Sequence, residues 1–141
     1  MKEVVRIIPT TALVKPNLFE KLPEILPVIR QEFSIILAKQ MFFSLVKVKN
    51  FYPEHQSKDW FPEYSSYMME GPIYVMMLKS ILKPEDSIQK WREMVINLRT
   101  FYGEPFERNG FHGSQDMESS IRESKIVFPK EWNQLLKPFF D

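Results

Sequence analysis

Hydrophobic and polar positions divide the first third of the chain into two strands with a helix between them. The segment TTALV, Thr10–Val14, is β-branched and apolar, which predicts a strand that ends at a lysine–proline pair. Apolar residues then recur with helical spacing over residues 18–33, where Pro27 predicts a bend in the helix. The run SIILAKQMFF, Ser34–Phe43, predicts the second strand.

The middle of the chain continues this alternation with shorter helices. We predict helices over residues 45–52 and 60–69, the second capped by Asp59 and ended by Gly71. The run PIYVMML, Pro72–Leu78, is almost entirely apolar, which suits a central strand buried on both faces. A helix that begins at Asp86 or Ser87 follows, and its apolar side carries Ile88, Trp91 and Val95.

The last third has weaker signals. Residues 97–113 contain three glycines and a proline, which predicts irregular structure. Ser114 is the predicted N-cap of a helix, in which Met117 and Ile121 lie one turn apart. Ile126–Phe128 predicts a final short strand, and residues 129–141 predict a partly helical tail.

The order of these elements, β-α-β-α-α-β-α-α-β, predicts an α+β fold of the ferredoxin-like kind. In such a fold a four-stranded antiparallel sheet carries helices packed on one face. Neither an internal repeat nor a linker-like segment interrupts the chain, so we expect one domain over residues 1–141.

Composition narrows the possible functions. The 141 residues are 44% hydrophobic and 26% charged, which excludes intrinsic disorder, and the absence of cysteine excludes disulfides, cysteine zinc sites and thiol nucleophiles. A formal charge of +1 gives no electrostatic basis for a nucleic-acid partner. The N-terminal segment MKEVVRII lacks a long apolar core, and Ile73–Leu78 is too short to span a bilayer. We therefore expect a soluble cytoplasmic protein without a membrane partner.

Aromatic residues are unusually frequent for a chain of this size. Twelve Phe, five Tyr and three Trp amount to 14% of the sequence. A phenylalanine-rich core is the plain interpretation of this excess. The alternative is that some of these rings face a planar ligand or a partner.

Of the two histidines, His112 has the more specific setting. It lies between Gly110 and Gly113 in RNGFHGSQD, directly before the helix predicted to begin at Ser114. A helix N-terminus presents free N–H groups and a positive dipole end, a natural phosphate site. Glu123, on the same helix, is placed to hold one ring nitrogen and leave the other free to attack phosphorus. For an arbitrary sequence, a core histidine with a satisfied hydrogen bond is the commoner interpretation. His55, in the polar turn PEHQS, is expected to be a solvent-exposed loop histidine.

Three segments resemble the nucleoside diphosphate kinase family over nearly the whole chain. ALVKP, Ala12–Pro16, resembles the family's first strand and its lysine, and residues 51–78 resemble its tyrosine, base-stacking aromatic and following strand. The most specific segment is RNGFHGSQDMESSIRESKIVFP, Arg108–Pro129, which resembles the N-x-x-H-G-S signature with its downstream glutamate.

The resemblance implies a role for each matching residue. It implies that His112 is the phosphorylated nucleophile, that Glu123 fixes its other ring nitrogen and that Tyr52 supports it. The remaining implied residues bind nucleotide: Lys15 at the transferred phosphate and ribose, Arg92 and Arg99 at the phosphates, Asn109 at the sugar, Trp60 and Phe106 on the two faces of the base, and Gly113 and Ser114 within the signature. Mg²⁺ is expected as the cofactor, held through the nucleotide phosphates and not by a protein metal site.

Each of these residues also has a plain structural interpretation. Lys15 fits a solvated strand end, and Arg92 fits a surface ion pair with a neighbouring glutamate on a helix. Trp60 fits the core, and Tyr52 fits a turn closed by a proline.

Several positions depart from the family pattern. Asn17 and Leu18 follow the lysine–proline pair in place of Asp and Gly, and Tyr64 replaces a small aliphatic residue, which is expected to narrow the pocket mouth. The stretch between Arg92 and Arg99 is much shorter than in typical members and lacks their Gly-x-Thr segment, so the loop between Arg92 and Gly110 is expected to be shortened. Gln115 replaces an acid. These departures resemble divergent members associated with ciliary axonemes.

Two functions follow from the resemblance. The first is ping-pong transfer of a γ-phosphate from a nucleoside triphosphate to a nucleoside diphosphate through phosphorylated His112. The alternative is a weakly active or inactive nucleotide-binding or structural module of the same fold, with axonemal protein partners and an axonemal location. In either case we expect a homodimer that pairs through the strand over residues 33–43, because the shortened loop removes the surface that would build larger rings.

Overall fold

The four strands of the protein form one antiparallel sheet. We describe it from a computed structural model, which covers residues 6–103 and 105–141. The strands are β1 (Thr10–Val14), β2 (Phe33–Met41), β3 (Ile73–Ser80) and β4 (Phe111–Gly113), in the spatial order β2-β3-β1-β4 with every neighbouring pair antiparallel. The α+β architecture with a four-stranded antiparallel sheet is therefore confirmed.

Six α-helices accompany the sheet within the described residues. They are α1 (Leu22–Glu32), α2 (Leu45–Phe51), α3 (Phe61–Met69), α4 (Ser87–Tyr102), α5 (Met117–Val127) and α6 (Lys137–Phe140). Short 3-10 segments precede α1, α3, α4 and β4, and a π-helical turn, Trp132–Leu136, leads into α6. The helix predicted over residues 18–33 begins as one of these 3-10 segments, Pro16–Lys21, and α1 continues through Pro27. Trp60, and not Asp59, occupies the N-cap position of α3.

Helices cover both faces of the sheet, so the expectation of helices on one face is wrong. Leu13 and Val75 belong to a core shared with α2, α3 and α5, whereas Val14 and Met76 belong to a second core shared with α1 and α4. Neighbouring strand residues point to opposite faces, and β1 is buried at all five positions. A sheet with two apolar faces requires a helical layer on each.

The predicted strand at Ile126–Phe128 is also wrong. Ile126 and Val127 form the last turn of α5, where Val127 is buried in the first core. The fourth strand is instead β4, within the stretch predicted to be irregular, and it pairs with Ala12–Val14 of β1. Its strand structure comes from this long-range pairing, since two of its three residues have little β-propensity.

Helix α4 extends further than expected. It runs to Tyr102 and ends at Gly103, whose φ of 63° is the left-handed conformation that a helix C-terminus commonly requires. Much of the shortened stretch before the His-Gly-Ser motif is therefore helical and not a loop. No helix in the described part of the chain is both long and apolar enough to cross a membrane.

Candidate functional site

His112 lies at the centre of β4, and its main chain is fixed by a tryptophan from α4. The Trp91 indole Nε1 donates a hydrogen bond of 2.8 Å to the His112 carbonyl. A Cβ atom on Gly113 would lie 2.8 Å from Trp91 Cδ1 and 3.1 Å from Nε1, so the tryptophan needs a glycine beside it. Gly110, at φ 83°, lies against Leu18 in the same way. Both glycines therefore make room for side chains of the protein itself.

Both ring nitrogens of His112 have partners. Nε2 is 2.8 Å from Glu123 Oε1, and Nδ1 is 3.0 Å from the Tyr52 hydroxyl. The Phe51 ring meets the imidazole edge-on with centroids 4.7 Å apart, and the histidine side chain keeps 11% of its surface exposed. The imidazole is therefore held on three sides and is partly open to solvent.

Glu123 is itself fixed by a buried serine. Ser114 Oγ donates to Glu123 Oε1 at 2.7 Å and also contacts the Thr11 carbonyl oxygen at 3.3 Å. On its other side, Glu123 Oε2 lies 3.6 Å from Arg122, which the sequence argument did not include. The carboxylate is thus oriented before any ligand binds.

The expectation that Ser114 caps the helix is wrong. Asp116 is the N-cap of α5, and its Oδ1 accepts a 2.7 Å hydrogen bond from the Ser119 N–H. The serine hydroxyl is already bonded to Glu123, whereas the aspartate is exposed and free to meet the first turn. His112 therefore lies in a strand, four residues before Asp116. Because α5 does not begin at Ser114, the histidine does not stand directly before a helix N-terminus that would bind phosphate.

Lys15 is buried, so the interpretation of a solvated strand end is wrong. Only 2% of its surface is exposed, and its ammonium donates to the Tyr64 hydroxyl and to Asn109 Oδ1, each at 2.9 Å. The rings of Tyr52, Tyr64 and Tyr67 lie within 5.2 to 5.9 Å of Nζ. Burial, with a smaller effect from Arg99, lowers the pKa of Lys15 well below its usual value.

Helix α4 presents two arginines two turns apart. Arg99 Nη2 donates to the Phe111 carbonyl at 2.8 Å, and its Nε is buried without a hydrogen-bond partner among the described residues. Burial lowers the pKa of Arg99. Arg92 is exposed and lies beside Gly113. The next residue in the sequence, Glu93, forms an ion pair with Lys90 at 3.5 Å.

A cavity of about 590 Å³ lies beside Lys15 and its two hydrogen-bond partners, Tyr64 and Asn109. Trp60 and Phe106 line it, and they are 46% and 87% exposed, so neither ring belongs to the core. Its other lining residues are His55, Glu63, Tyr64, Tyr67, Glu107, Arg108 and Asn109. Lys15, Tyr52 and His112 do not line it, and Tyr64 and Asn109 lie between the cavity and the lysine.

His55 is not the solvent-exposed histidine that its polar turn predicts. Its ring stacks on Tyr52 with centroids 5.2 Å apart and planes 12° from parallel, and it meets the edge of Trp60 at 4.9 Å. Burial lowers its pKa. His55 thus lies between Trp60, which lines the cavity, and Tyr52, the tyrosine beside His112.

Tyr67 was absent from the sequence-predicted site, and Tyr64 was expected only to narrow the pocket mouth. The Tyr67 hydroxyl donates to Asn17 Oδ1 at 2.7 Å and accepts from the Gly110 N–H at 3.1 Å, which ties α3 to the segment before β4. Tyr64 reaches inward to Lys15, and does not merely narrow the cavity mouth. The high aromatic content was the signal for these rings, although it did not distinguish them from core residues.

The described residues contain no group of three or more His, Asp or Glu side chains arranged to hold a metal ion.

Comparison with known proteins connects this geometry to one family. The family model described as nucleoside diphosphate kinase matches residues 9–132. Nucleoside diphosphate kinase homolog 5 of Mus musculus is 34% identical over 130 residues, which cover 85% of this chain and 62% of that protein. The Homo sapiens homolog 5 is 32% identical over 131 residues, covering 86% and 62%. The chain thus spans less than two thirds of the length of these curated relatives.

Solved structures agree with the fold. A nucleoside diphosphate kinase from Aquifex aeolicus matches with a TM-score of 0.75 and 28% identity, covering 85% of this chain and 94% of that one. A halophilic nucleoside diphosphate kinase from Halobacterium salinarum, solved in complex with CDP, matches with a TM-score of 0.77 and 21% identity, covering 85% and 86%. The second likeness concerns the fold alone.

Proposed function

The chain belongs to the nucleoside diphosphate kinase family, and from this we propose that it transfers the γ-phosphate of a nucleoside triphosphate to a nucleoside diphosphate through His112. The observation that carries the proposal is the imidazole held between a buried carboxylate and a buried phenol, at 2.8 and 3.0 Å. A histidine fixed in this way is positioned for nucleophilic attack.

The two partners assign different roles to the ring nitrogens. Glu123 Oε1 accepts a hydrogen bond from the Nε2–H group, which leaves the lone pair on Nδ1. Burial raises the pKa of Tyr52 well above its usual value, so the phenol keeps its proton at neutral pH and donates a hydrogen bond to Nδ1 until a phosphate oxygen replaces the nitrogen as acceptor. We therefore assign Nδ1 as the attacking atom.

The transfer consists of two half-reactions. In the first, the Nδ1 lone pair forms a bond to the γ-phosphorus, the bond from that phosphorus to the bridging oxygen breaks, and the nucleoside diphosphate leaves with the electron pair. In the second, a terminal oxygen of another nucleoside diphosphate attacks the same phosphorus, and the nitrogen–phosphorus bond returns its electrons to Nδ1. The histidine regains its starting state after each cycle.

The charges around His112 suit a migrating phosphoryl group. Arg99 supplies a buried Nε donor without a partner among the described residues, which an incoming phosphate oxygen would satisfy. Lys15, whose ammonium lies over the Tyr52 ring, and Arg92, which lies beside Gly113, add positive charge near the histidine. Mg²⁺ would be held through the nucleotide phosphates and would neutralise part of their charge. Gly113 and Ser114 contribute by seating Trp91 and Glu123.

The cavity suits the nucleoside. The exposed rings of Trp60 and Phe106 line it, and flat rings bind any base through stacking. Asn109 lines it and accepts a hydrogen bond from Lys15, and its amide is the group that we assign to a sugar hydroxyl. The CDP bound by the Halobacterium protein agrees with a nucleotide ligand for this fold.

Labelling with γ-³²P-ATP tests the proposal. We expect an acid-labile, base-stable label on the protein, as phosphohistidine chemistry requires, and no label on His112→Ala. A thermal unfolding transition shared by both proteins would show that the variant is folded. Label that persists in folded His112→Ala would refute the assignment.

Nucleotide binding without transfer is the second candidate function. It is favoured by a cavity that does not include His112 and by the neutral partners that cover Lys15. In this case nucleotide would quench Trp60, and Trp60→Ala would weaken binding by about 1–3 kcal/mol with little base preference. Trp91 and Trp132 also emit, so the signal change must vanish in Trp60→Phe. The cytoplasmic or axonemal location and any axonemal partners stay predictions.

A further inference from the structure

Lys15 has unusual partners for a buried cation. The residue is 2% exposed, and its ammonium donates to two neutral oxygens, the hydroxyl of Tyr64 and the amide oxygen of Asn109. Charge-assisted hydrogen bonds to an anion are stronger than bonds to neutral acceptors, so this pair compensates poorly for the burial of the charge. A phosphate oxygen would be a better partner at the same place.

Tyr64 separates that lysine from the cavity. Its side chain lines the cavity beside Trp60, and its hydroxyl ends on Lys15 Nζ at 2.9 Å. A ligand that enters between the exposed rings therefore meets the face of Tyr64 before it meets the ammonium.

The Tyr64 ring is held in this position by its neighbours. It makes edge contacts with Tyr52, Trp60 and Tyr67, whose ring centroids are 5.3, 5.8 and 5.9 Å away. Burial raises the pKa of its hydroxyl to about 12, so the group stays a neutral phenol at physiological pH. The fixed neutral ring therefore keeps the Lys15 ammonium covered on the side of the cavity.

We propose that Tyr64 is a cap over Lys15, which the phosphates of a nucleotide must displace before they reach the lysine and His112. This inference rests on the proposed function only in taking the cavity as the nucleotide site. The cap makes Tyr64 a residue that determines how strongly phosphates contribute to binding.

The cap has a thermodynamic consequence that binding measurements reveal. A nucleoside has no phosphate and binds without opening the cap, whereas a nucleoside diphosphate must move the tyrosine to gain the contact with Lys15. The free energy of opening is subtracted from the phosphate contribution. The dissociation constant of adenosine divided by that of ADP is therefore smaller than it would be if Lys15 were uncovered.

Titration calorimetry with adenosine and with Mg-ADP tests this on the wild-type chain, Tyr64→Leu and Tyr64→Phe. Leucine removes the ring and its hydroxyl, so we expect the ratio to rise about tenfold, the effect of one charge-assisted contact. Phenylalanine keeps the ring but loses the bond to Lys15, and we expect a smaller rise. Tyr102→Leu is the matched control, because Tyr102 lies on α4 outside the cavity and its hydroxyl contacts only Glu24 among the described residues.

An unchanged ratio in folded Tyr64→Leu would overturn the cap. A fall in either Tyr64 variant would overturn it too, since it would mean that the hydroxyl binds phosphate. Phosphohistidine formation in the same proteins separates the two proposals. If the adenosine-to-ADP ratio rises in Tyr64→Leu but the wild-type protein takes up no phosphohistidine label, the cap is supported and transfer is refuted. If the wild-type protein is labelled but the ratio is unchanged in Tyr64→Leu, transfer is supported and the cap is refuted.

Discussion

The two nitrogens of His112 face partners of opposite chemistry, a carboxylate and a phenol. Glu123 receives a further 2.7 Å hydrogen bond from Ser114, so a rotation of the carboxylate would leave the buried hydroxyl with only its longer, 3.3 Å contact to the Thr11 carbonyl oxygen. This chain of contacts determines which nitrogen is free to react. Its effect is measurable at the level of single residues.

Replacing Glu123 by glutamine should slow phosphorylation of His112. The amide keeps the shape of the side chain but removes the charge that stabilises a proton on Nε2, so we expect the labelling rate to fall about 10- to 100-fold. Glu118→Gln is the matched control, because Glu118 is an exposed residue of the same helix. Equal rates in the two variants would show that Glu123 does not orient the histidine.

His55 should make stability depend on pH. Burial lowers its folded pKa below the usual value of about 6.5, so in the window between the two values the unfolded chain binds more protons than the folded one. Its contribution is therefore present above that window and is lost as the pH falls through it. We expect the free energy of unfolding from urea titrations to fall less steeply between about pH 7 and pH 5 in His55→Gln than in the wild-type chain. Parallel pH profiles would contradict this.

At this scale the sequence predicted the identity of the central residues better than their surroundings. The residues that the family resemblance singled out lie together in the structure, although their roles stay predictions: His112, Glu123, Tyr52, Lys15 and Asn109. The contacts of His55, Tyr64 and Tyr67 were not predicted, because a ring in a polar turn or on a helix gives no local signal of the side chains it meets across the fold.

At the scale of elements, the site depends on how β4 meets α4. The strand has three residues, and Trp91 packs against its glycine while donating to the carbonyl of His112. The position of the imidazole therefore depends on a contact between two elements that are far apart in sequence.

Gly113→Ala should disturb this contact. The new methyl group would lie 2.8 Å from Trp91 Cδ1, and overpacking of this kind costs about 1–3 kcal/mol of stability. We also expect slower labelling of His112, because the strand must shift. Gly103→Ala is the comparison: nothing lies within 4 Å of its Cβ position, so it should lose only about 1 kcal/mol through its positive φ and keep normal labelling. Normal labelling and stability in Gly113→Ala would contradict the account.

The elements that could be predicted were those with local signals. The strands at Thr10–Val14 and Ile73–Ser80 were recognised from their apolar runs, which match their position in the middle of the sheet. The fourth strand was not, because its residues adopt that structure only through pairing with β1. Ile126 and Val127 look like a strand locally, but the buried end of α5 requires apolar residues in the same places.

At the scale of the whole molecule, β2 forms one edge of the sheet, and Phe42, Leu45 and Val46 just beyond it are exposed. An apolar patch beside an open edge suits self-association. We predict a two-fold dimer, twice the 16.9 kDa chain mass, and no stable hexamer. Sedimentation velocity at micromolar concentration decides this, and a hexameric mass would contradict it.

The same sample should unfold in one cooperative transition if residues 1–141 form one domain.

A chase of the phosphorylated protein shows directly whether the phosphoryl group on His112 passes to a second nucleotide. Protein labelled with γ-³²P-ATP is separated from nucleotide and mixed with unlabelled CDP and Mg²⁺. We predict that the label leaves His112 and appears in CTP, with one phosphate transferred for each phosphate lost from the protein. Label released as inorganic phosphate, or retained on the protein in the presence of CDP, would contradict phosphoryl transfer between nucleotides as the function of this site.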